Sequence, residues 1–478
     1  MGKKTSATAD GKGNVKNLPF GGYYQRDVPA PDPELTSSDP GTPMGELMRR
    51  QWQPVCLSEE LSDLVHPVRI MGEDLVVFRD HSRSIGVLHR NCSHRGASLE
   101  FGLIQEHGVR CCYHGWWFDV DGTILETPGQ PEHARIKESL CHGAYPAFER
   151  YGMVFAYMGP PELKPDFPIF DTIEVLGNEL YSFSNFYPCN WLQIHENVCD
   201  QLHTAIFHNG MGNRVLVEGV APSNDVSLPA PFTSDDIPIM DYELTDGGNG
   251  MISTTVRRVD DKVWVRHNHY LIPNYLEIAG LFEDMEQQKY FAGIGHVRWH
   301  VPHDDTHASV FGIRHFNAES DPKSKGDPLK LGVGGGDFLF GQTGDRSDEV
   351  RHRYPGDWDV VSSQRPIAVH AKENLASSDR GVAMLRKMCR DALHDRVPDA
   401  WPKPANGGET RRRGYTNDTI FNVPALDDAE ADFTMLEDIG RQVTAIIVDQ
   451  SLEPGKDRRG EVKKRLKALE KEFQRQMS

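Results

Sequence analysis

Short apolar runs separated by turn residues dominate the first third of the chain. The runs at 68–71, 74–78 and 84–89 are rich in Val, Ile and Leu and have the length of strands. Gly, Asp and Ser between them are typical of tight turns. The pattern predicts a small all-β domain over residues 45–160. Before it lies an N-terminal arm, residues 1–44, which is rich in Pro, Gly and Asp and has little core of its own.

From residue 161 onward the pattern becomes a mixture of longer strands and helices. Because strands and helices are both present and the strands have alternating faces, we expect an α+β domain over residues 161–450 with an antiparallel sheet. Its strands are predicted at 181–187, 251–257, 263–270 and 308–316, and its helices at 191–208 and 359–394.

A charged helix is predicted at the C-terminal end, residues 451–478. Its apolar residues recur at spacings of four, three, four and four, which forms one stripe along the helix. We expect this stripe to pack on its own subunit, with a contact between subunits as the alternative. The stripe consists of Val462, Leu466, Leu469, Phe473 and Met477.

Five histidines crowd the region from residue 296 to residue 315, which suggests a second metal site. The segment also has the pattern of a hairpin with its turn at 302–306. We therefore interpret these histidines as mostly exposed strand positions. The glycine-rich stretch 332–336 lacks the strand, loop and helix context of a nucleotide-binding loop, so we interpret it as a surface loop in an insertion over 317–355.

Composition excludes several classes of protein. The 478 residues suffice for two or three domains, and the net charge of −18 argues against binding to nucleic acid or to anionic membrane surfaces. No run of 18 apolar residues is present, so we expect no membrane span. The eight cysteines are spread thinly without a framework of pairs, which favours a cytoplasmic location.

Two Cys/His pairs lie between residues 92 and 114, as Cys92-Ser-His94 and Cys111-Cys-Tyr-His114. Two thiolates and two imidazoles are the ligands of a Rieske [2Fe–2S] cluster, in which Cys binds one iron and His the other. A Cys₂His₂ zinc site uses the same types of ligand. Zinc sites more often pair Cys with Cys and His with His, whereas here each segment supplies one of each. The spacing therefore favours the cluster.

A second group of possible metal ligands lies in the segment 190–208. Two histidines and a carboxylate with open positions form the facial triad of non-haem Fe(II) oxygenases. On a regular helix Glu196, Asp200 and His203 would share one face, because they are spaced i, i+4 and i+7. The alternative is a helix that carries two histidines with purely structural hydrogen bonds.

His208 cannot join His203 on one face of a regular helix. The two are five residues apart, which is about 140° around the axis. The helix must therefore kink, widen by a residue, or end near Ile206, and Asn209-Gly210 supplies a plausible stop.

Together these motifs resemble the Rieske non-haem iron oxygenases. Both Cys/His segments match that family, and so does the string Glu-Asn-X-X-Asp-X-X-His-X₄-His at 196–208. Respiratory Rieske proteins resemble the first motif too, but they add two cysteines that form a disulfide. Ala97 and Tyr113 occupy those positions here. The resemblance thus implies a small all-β Rieske domain followed by a helix-grip (START-like) catalytic domain.

The resemblance also implies the roles of individual residues. Cys92 and Cys111 would bind one iron of the [2Fe–2S] cluster, and His94 and His114 the other. Cys112 is the first X of the Cys-X-X-His motif, so we interpret it as a bystander that does not bind the cluster. His203 and His208 would bind a mononuclear Fe(II), with Asn197 close to it. Asp200 would bridge His203 and the cluster ligand His114 of a neighbouring subunit. The residues so assigned are Cys92, His94, Cys111, His114, Asn197, Asp200, His203 and His208.

The third ligand of the mononuclear iron is an Asp that precedes a helix in this family. Asp357 and Asp359 both qualify. Family members carry the ligand five residues before the position of Ser362, which favours Asp357. Each could instead serve only as a helix N-cap.

The resemblance implies a terminal oxygenase that activates O₂ at the mononuclear Fe(II) with electrons from the cluster. It would work as a homotrimer or a dimer of trimers with a separate NAD(P)H-dependent reductase of the flavin and ferredoxin type. No dinucleotide or flavin motif is present in this chain. Candidate substrates are aromatic compounds, aryl ethers or compact tertiary alcohols, with mono- or dioxygenation left open. The alternative is an electron-transfer protein with a non-catalytic second domain.

Overall fold

Turn residues divide the first apolar stretch into short strands, which pair into three antiparallel sheets. The computed structural model describes residues 19–131, 133–175, 177–208, 237–281, 285–336, 341–397, 401–405 and 410–476. The predicted runs near residues 70, 76 and 87 are strands of one sheet. The three sheets consist of Gln53–Leu57, Met153–Ala156 and Ala147–Arg150; of His66–Ile70, Glu73–Arg79, Ile85–His89 and Ala144–Tyr145; and of Leu103–Ile104, Val109–Arg110, Trp117–Phe118 and Ile124–Glu126.

A nine-stranded sheet forms the second half of the described structure. Its strands are antiparallel as predicted, with one exception, because Gly332–Val333 pairs in parallel with Phe183 and Ser184. The start of the glycine-rich stretch is therefore a short strand and not only a loop. The strands are Glu179–Tyr187, Ile239–Thr245, Gly250–Val259, Lys262–Leu271, Tyr275–Ala279, Ile294–Asp304, His307–Phe316, Gly332–Val333 and Asn417–Phe421, and a separate parallel pair joins Pro168–Phe170 to Thr410–Arg412.

Helices cover both faces of this sheet. Met251 packs with the helices Trp191–Cys199 and Arg380–Leu393, whereas its neighbour Ile252 packs with the two last helices. Neighbouring side chains on a strand point to opposite faces, so the two sets of helices lie on opposite sides. The described α-helices are Pro33–Thr36, Pro43–Arg49, Ile136–Ser139, Trp191–Cys199, Gln201–Ile206, Asp348–Arg353, Asp357–Ser363, Arg380–Leu393, Ala429–Ile447 and Lys456–Gln476.

The C-terminal helix Lys456–Gln476 packs on its own chain, as its apolar stripe predicts. Val462, Leu466, Leu469 and Phe473 are buried in one cluster with the helix Ala429–Ile447. Full burial of each such side chain contributes about 1.5–3 kcal/mol. Met477 lies outside the described residues.

The β-rich first region and the large sheet share a hydrophobic core. Phe155 meets Trp299 edge-to-face with ring centroids 5.5 Å apart, and Val55 belongs to the same cluster. Leu35 and Met44 of the predicted N-terminal arm are also buried in it. The domain division at residues 45, 161 and 451 stays a prediction.

Both long predicted helices are interrupted. The stretch 191–208 breaks at Asp200 into two helices, so Glu196, Asp200 and His203 do not share one helical face. The second helix ends at Ile206, which is one of the three solutions expected from the spacing of the histidines. The predicted stop at 209–210 lies outside the described residues. The stretch 359–394 is likewise divided, into Asp357–Ser363 and Arg380–Leu393 with two short 3₁₀ turns between them.

The prediction of exposed histidines on the hairpin is wrong. The hairpin itself is present, with its turn between Asp304 and His307. However, His296, His300 and His315 are buried. Both faces of the sheet are covered by other parts of the chain, so alternate positions on these strands do not reach solvent.

Candidate metal centres

Two loops of nearly identical backbone structure carry the Cys/His pairs. The N–H of Cys92 donates to the carbonyl of Ala97 (2.9 Å), and the N–H of Cys111 donates to the carbonyl of Trp116 (2.8 Å). In both cases the partner lies five residues further along the chain. The cysteine sulfurs are thereby fixed at equivalent places in two facing loops.

A glycine permits the tight turn in each loop. Gly96 and Gly115 have φ values of +75° and +73°, in the left-handed region that costs glycine little. Their N–H groups donate to the carbonyls of Cys92 (2.8 Å) and Cys111 (3.0 Å). The glycine that follows each His in the sequence is therefore required by the loop geometry.

The structure brings the predicted cluster ligands together as two pairs, His94 with His114 and Cys92 with Cys111, and both pairs adjoin Trp116. The rings of His94 and His114 lie 4.5 Å apart between centroids, and His94 stacks on Trp116 at 4.8 Å. Cys92 and Cys111 are buried, whereas Cys112 is exposed. Among the described residues, the buried Nδ1 of His94 has no hydrogen-bond partner. A metal ion would satisfy this nitrogen, so the donor set fits a Rieske cluster.

Burial raises the pKa of the Cys92 thiol to about 11. Without a metal ion, this thiol would thus be protonated at neutral pH. Metal binding replaces the proton and keeps the sulfur as a thiolate.

Cys111→Ser is expected to abolish the visible absorption of the cluster, whereas Cys112→Ser is expected to leave it largely intact. The physical reason is that Cys111 is buried beside Cys92, while the Cys112 side chain faces solvent. Absorption and circular dichroism spectra of the purified variants measure this difference, with Cys92→Ser as a second variant that loses the cluster. Bleaching in Cys112→Ser with a normal spectrum in Cys111→Ser would reverse the assignment.

The helix break at Asp200 positions His203, the first candidate ligand of the mononuclear iron. Its carboxylate Oδ1 accepts hydrogen bonds from the N–H groups of Leu202 (3.0 Å) and His203 (3.3 Å), which caps the new helix. The Nδ1 of His203 bonds to the backbone carbonyl of Asp200. A carbonyl only accepts, so Nδ1 carries the proton and Nε2 is left with a lone pair for a metal.

His203, His208 and Asp357 converge on one point. Asp357 Oδ1 lies 3.8 Å from Nε2 of His203, and Oδ2 lies 3.3 Å from Nε2 of His208. The ligand atoms of all three residues lie within 4.8 Å of one another. Two imidazoles and one carboxylate at these separations fit a facial triad. Among the described residues, the buried Oδ1 of Asp357 has no hydrogen-bond partner, as expected for a ligand atom.

Asp359 points away from this group. Its Oδ2 accepts from the N–H of Gly356 (2.8 Å), which caps the helix Asp357–Ser363. It also pairs with Arg346 and Arg351, each at 2.7 Å. Of the two candidates, the structure therefore brings Asp357 to the histidines and gives Asp359 the capping role.

The charge state of the three residues suits metal binding. Burial by itself would raise the pKa of Asp357, but His208, His203 and a hydrogen bond from Gln342 (2.6 Å) hold that pKa well below its usual value. Burial lowers the pKa of His203. The site thus presents a carboxylate and a neutral imidazole, which are the forms that bind a metal.

A cavity of about 80 Å³ adjoins the three residues. Asn197 and Val198 line it, consistent with the expected place of Asn197. Sequence reasoning missed most of the polar lining, although Arg266 and Asn268, and also His296 and Arg298, sit two apart on strands and thus face one side. The polar residues that it missed are Gln201, Thr204, Arg257, Arg266, Asn268, His296, Arg298 and Gln342.

A second cluster of possible ligands is an ion-pair network. Glu196, His370 and Glu373 lie close enough to hold a metal ion. However, the Arg386 guanidinium bonds to both oxygens of Glu196 (2.6 and 2.7 Å) and both of Glu373 (2.5 and 3.1 Å). The carboxylates already have a cation as their partner, and this network joins the helix Trp191–Cys199 to the helix Arg380–Leu393.

Comparison with known proteins decides between an oxygenase and an electron carrier. Residues 51–144 match the Rieske [2Fe-2S] domain family. The chain is 44% identical to the tert-butanol monooxygenase / tert-amyl alcohol desaturase oxygenase subunit of Aquincola tertiaricarbonis, over 98% of this chain and 99% of that protein. The chain belongs to the Rieske non-haem iron oxygenases.

Other relatives of this Rieske oxygenase agree with that assignment. The phenoxybenzoate dioxygenase subunit alpha of Ectopseudomonas oleovorans is 35% identical over 78% of this chain and 87% of its own length. The crystal structure of dicamba monooxygenase bound to dicamba shares the fold, with a TM-score of 0.52, 17% identity and coverage of 72% of this chain and 97% of that one.

The main prediction from the sequence is thereby confirmed over the electron-carrier alternative. The protein is the oxygenase component of a Rieske mono- or dioxygenase, and its cofactors are a [2Fe–2S] cluster and a mononuclear iron. Within the described residues, no helix combines the length and the apolar character that crossing a bilayer requires.

Proposed function

We propose that this Rieske oxygenase hydroxylates a compact tertiary alcohol or a similar small molecule. The observation that carries the proposal is the size of the cavity beside His203, His208 and Asp357, about 80 Å³. Pockets for drug-sized ligands span roughly 300–1,000 Å³, so a cavity of this size suits a much smaller molecule. Tert-butanol has that size, whereas a phenoxybenzoate is several times larger.

The similarity to relatives supports the same choice. The relative named for tert-butanol and tert-amyl alcohol is 44% identical to this chain, and the relative named for phenoxybenzoate is 35% identical. The lining also combines apolar Val198, Ile278 and Leu281 with polar Asn197 and Gln201. An alcohol with methyl groups presents both kinds of surface.

The proposed ligands are Cys92, His94, Cys111 and His114 for the cluster and His203, His208 and Asp357 for the iron. When bound, the cluster supplies electrons one at a time and the iron supplies open positions where O₂ is activated.

Residues around the proposed iron site fix the orientation of two of its ligands. The carbonyl of Asp200 holds His203 in the tautomer that leaves Nε2 free, and Gln342 orients the Asp357 carboxylate. Asn197 lines the cavity beside them. The reaction replaces one C–H bond of the substrate by C–OH, while the second oxygen atom leaves as water after uptake of two electrons from NAD(P)H and two protons.

We further propose that the enzyme is a cytoplasmic homotrimer or dimer of trimers, served by a separate NAD(P)H-dependent reductase of the flavin and ferredoxin type. In this arrangement Asp200 links His203 to the cluster ligand His114 of the neighbouring subunit. The position of Asp200 supports this role, because Asp200 lies at the helix break and lines a second cavity that shares Asn197 with the cavity beside the iron ligands.

Product analysis with ¹⁸O₂ tests the proposed substrate. We expect the enzyme with a reductase to convert tert-butanol to 2-methylpropane-1,2-diol with one ¹⁸O atom, detected by mass spectrometry. NADH and O₂ consumption should match product formation, while 3-phenoxybenzoate and phthalate should give no product. Turnover of an aromatic acid without turnover of tert-butanol would contradict the proposal. His208→Ala serves as the inactive control.

A further inference from the structure

His142, a residue outside both Cys/His motifs, makes a hydrogen bond to the first cluster loop. Ser93, between Cys92 and His94, places its hydroxyl 2.7 Å from Nδ1 of His142. His142 is only 3% exposed, and its ring packs against Phe118 with centroids 4.6 Å apart. It lies 49 residues after Ser93, so this contact joins a distant part of the chain to the ligand loop.

The directions of the hydrogen bonds follow from the chemistry. Nε2 of His142 lies 2.8 Å from the backbone carbonyl of His89, which only accepts. Nε2 therefore carries the proton. Burial lowers the pKa of His142, so the ring is neutral and Nδ1 is an acceptor. Ser93 must then donate its hydroxyl proton to Nδ1, and one fixed tautomer connects the loop to the strand that ends at His89.

The segment that Ser93 holds also includes the backbone N–H groups that follow Cys92, those of His94 and Arg95. Ser93 is the residue between the two cluster ligands, so a shift of its backbone changes how closely these N–H groups approach the sulfur of Cys92. Hydrogen bonds to the sulfurs are among the factors that set the reduction potential of an iron–sulfur cluster. They favour the reduced state, because it has the more negative charge.

We propose that Ser93 and His142 are positioning residues that hold this loop and thereby raise the reduction potential of the Rieske cluster. The inference rests on the proposed cluster ligands. The second loop is held differently, by a bond from Arg110 to the carbonyl of Gly115 (2.9 Å). The Ser93–His142 bond therefore acts on one loop only and can be removed without touching the other.

Spectroelectrochemical titration of the full-length protein tests the proposal. Ser93→Ala should shift the midpoint potential of the cluster to more negative values and alter its EPR signal. Ser93→Thr keeps the hydroxyl, and this exposed position has room for a methyl group, so it should restore the wild-type potential. Ser82→Ala, which removes an equivalent hydroxyl elsewhere in the same region, should leave the potential unchanged.

A double-mutant cycle shows whether Ser93 acts through His142. In a His142→Phe background, Ser93→Ala should cause no further shift, because its partner is already absent. Loss of the cluster in Ser93→Ala but not in Ser93→Thr would also support the proposal. A wild-type potential in Ser93→Ala, a shift to positive values, or equal shifts in the Ala and Thr variants would overturn it. An error in the ligand set itself would appear separately, as a normal cluster spectrum in Cys92→Ser.

Discussion

Asp357→Ala is expected to remove the mononuclear iron and to reduce turnover to background, while the [2Fe–2S] cluster stays intact. Asp357 lies between Nε2 of His203 and Nε2 of His208, and its loss leaves the two imidazoles as the only proposed protein ligands. The iron content should fall from about three atoms per chain to about two, those of the cluster. Metal analysis, together with the visible spectrum of the same sample, measures both centres.

Asp359→Ala is the matched control for this prediction. Asp359 caps the helix Asp357–Ser363 and pairs with Arg346 and Arg351. Its loss is expected to lower the free energy of unfolding by about 1–2 kcal/mol, the usual cost of removing a cap. The iron should remain. Normal iron in Asp357→Ala together with lost iron in Asp359→Ala would transfer the ligand role to Asp359.

The choice between these two carboxylates shows what sequence spacing leaves open. Both precede the same helix, and both are credible caps. Because they are two residues apart, they leave the helix start in different directions, and only the fold determines which direction leads to His203 and His208. The network of Asp359 with Arg346 involves the insertion 317–355, for which the sequence contains no recognisable pattern.

The cluster loops could be predicted almost completely from the sequence. Their geometry is local, since each Cys bonds to a residue five positions later and each turn needs a glycine at a fixed place. Local hydrogen bonds leave a repeated pattern in the sequence. Cys112 is the instructive case, because the three-residue spacing to His114 predicts it as a bystander and the structure places it in solvent.

The lining of the cavity could not be predicted in the same way. Gln342 and the strand residues Arg266 and Arg298 come from segments far apart in the sequence, and only the tertiary fold brings them together. The prediction that the hairpin histidines are exposed was wrong for a related reason. Alternation predicts which positions share a face, but it does not predict that the second face is also covered.

Asp200→Asn is expected to keep both metal centres and to slow turnover at least about 100-fold. The variant preserves the fold, because Asn caps a helix about as well as Asp, and the capping bonds to the N–H groups of Leu202 and His203 use one oxygen only. The bond from His203 goes to the backbone carbonyl and is unaffected. The substitution thus removes the charge and changes one acceptor into a donor.

In the proposed trimer, that change breaks the link between the two centres. In Asn, an NH₂ group replaces one of the two carboxylate oxygens. That end of the side chain cannot accept a hydrogen bond from an imidazole N–H of the neighbouring subunit. Partners of metal ligands typically contribute 10- to 100-fold to activity, and this one would connect two centres at once. Single-turnover product formation by the pre-reduced variant measures the effect, with reduction by dithionite as the control for the cluster. If Asp200 serves only as the helix cap, Asp200→Asn will instead form product at the wild-type rate, and the shared active site would have to be abandoned.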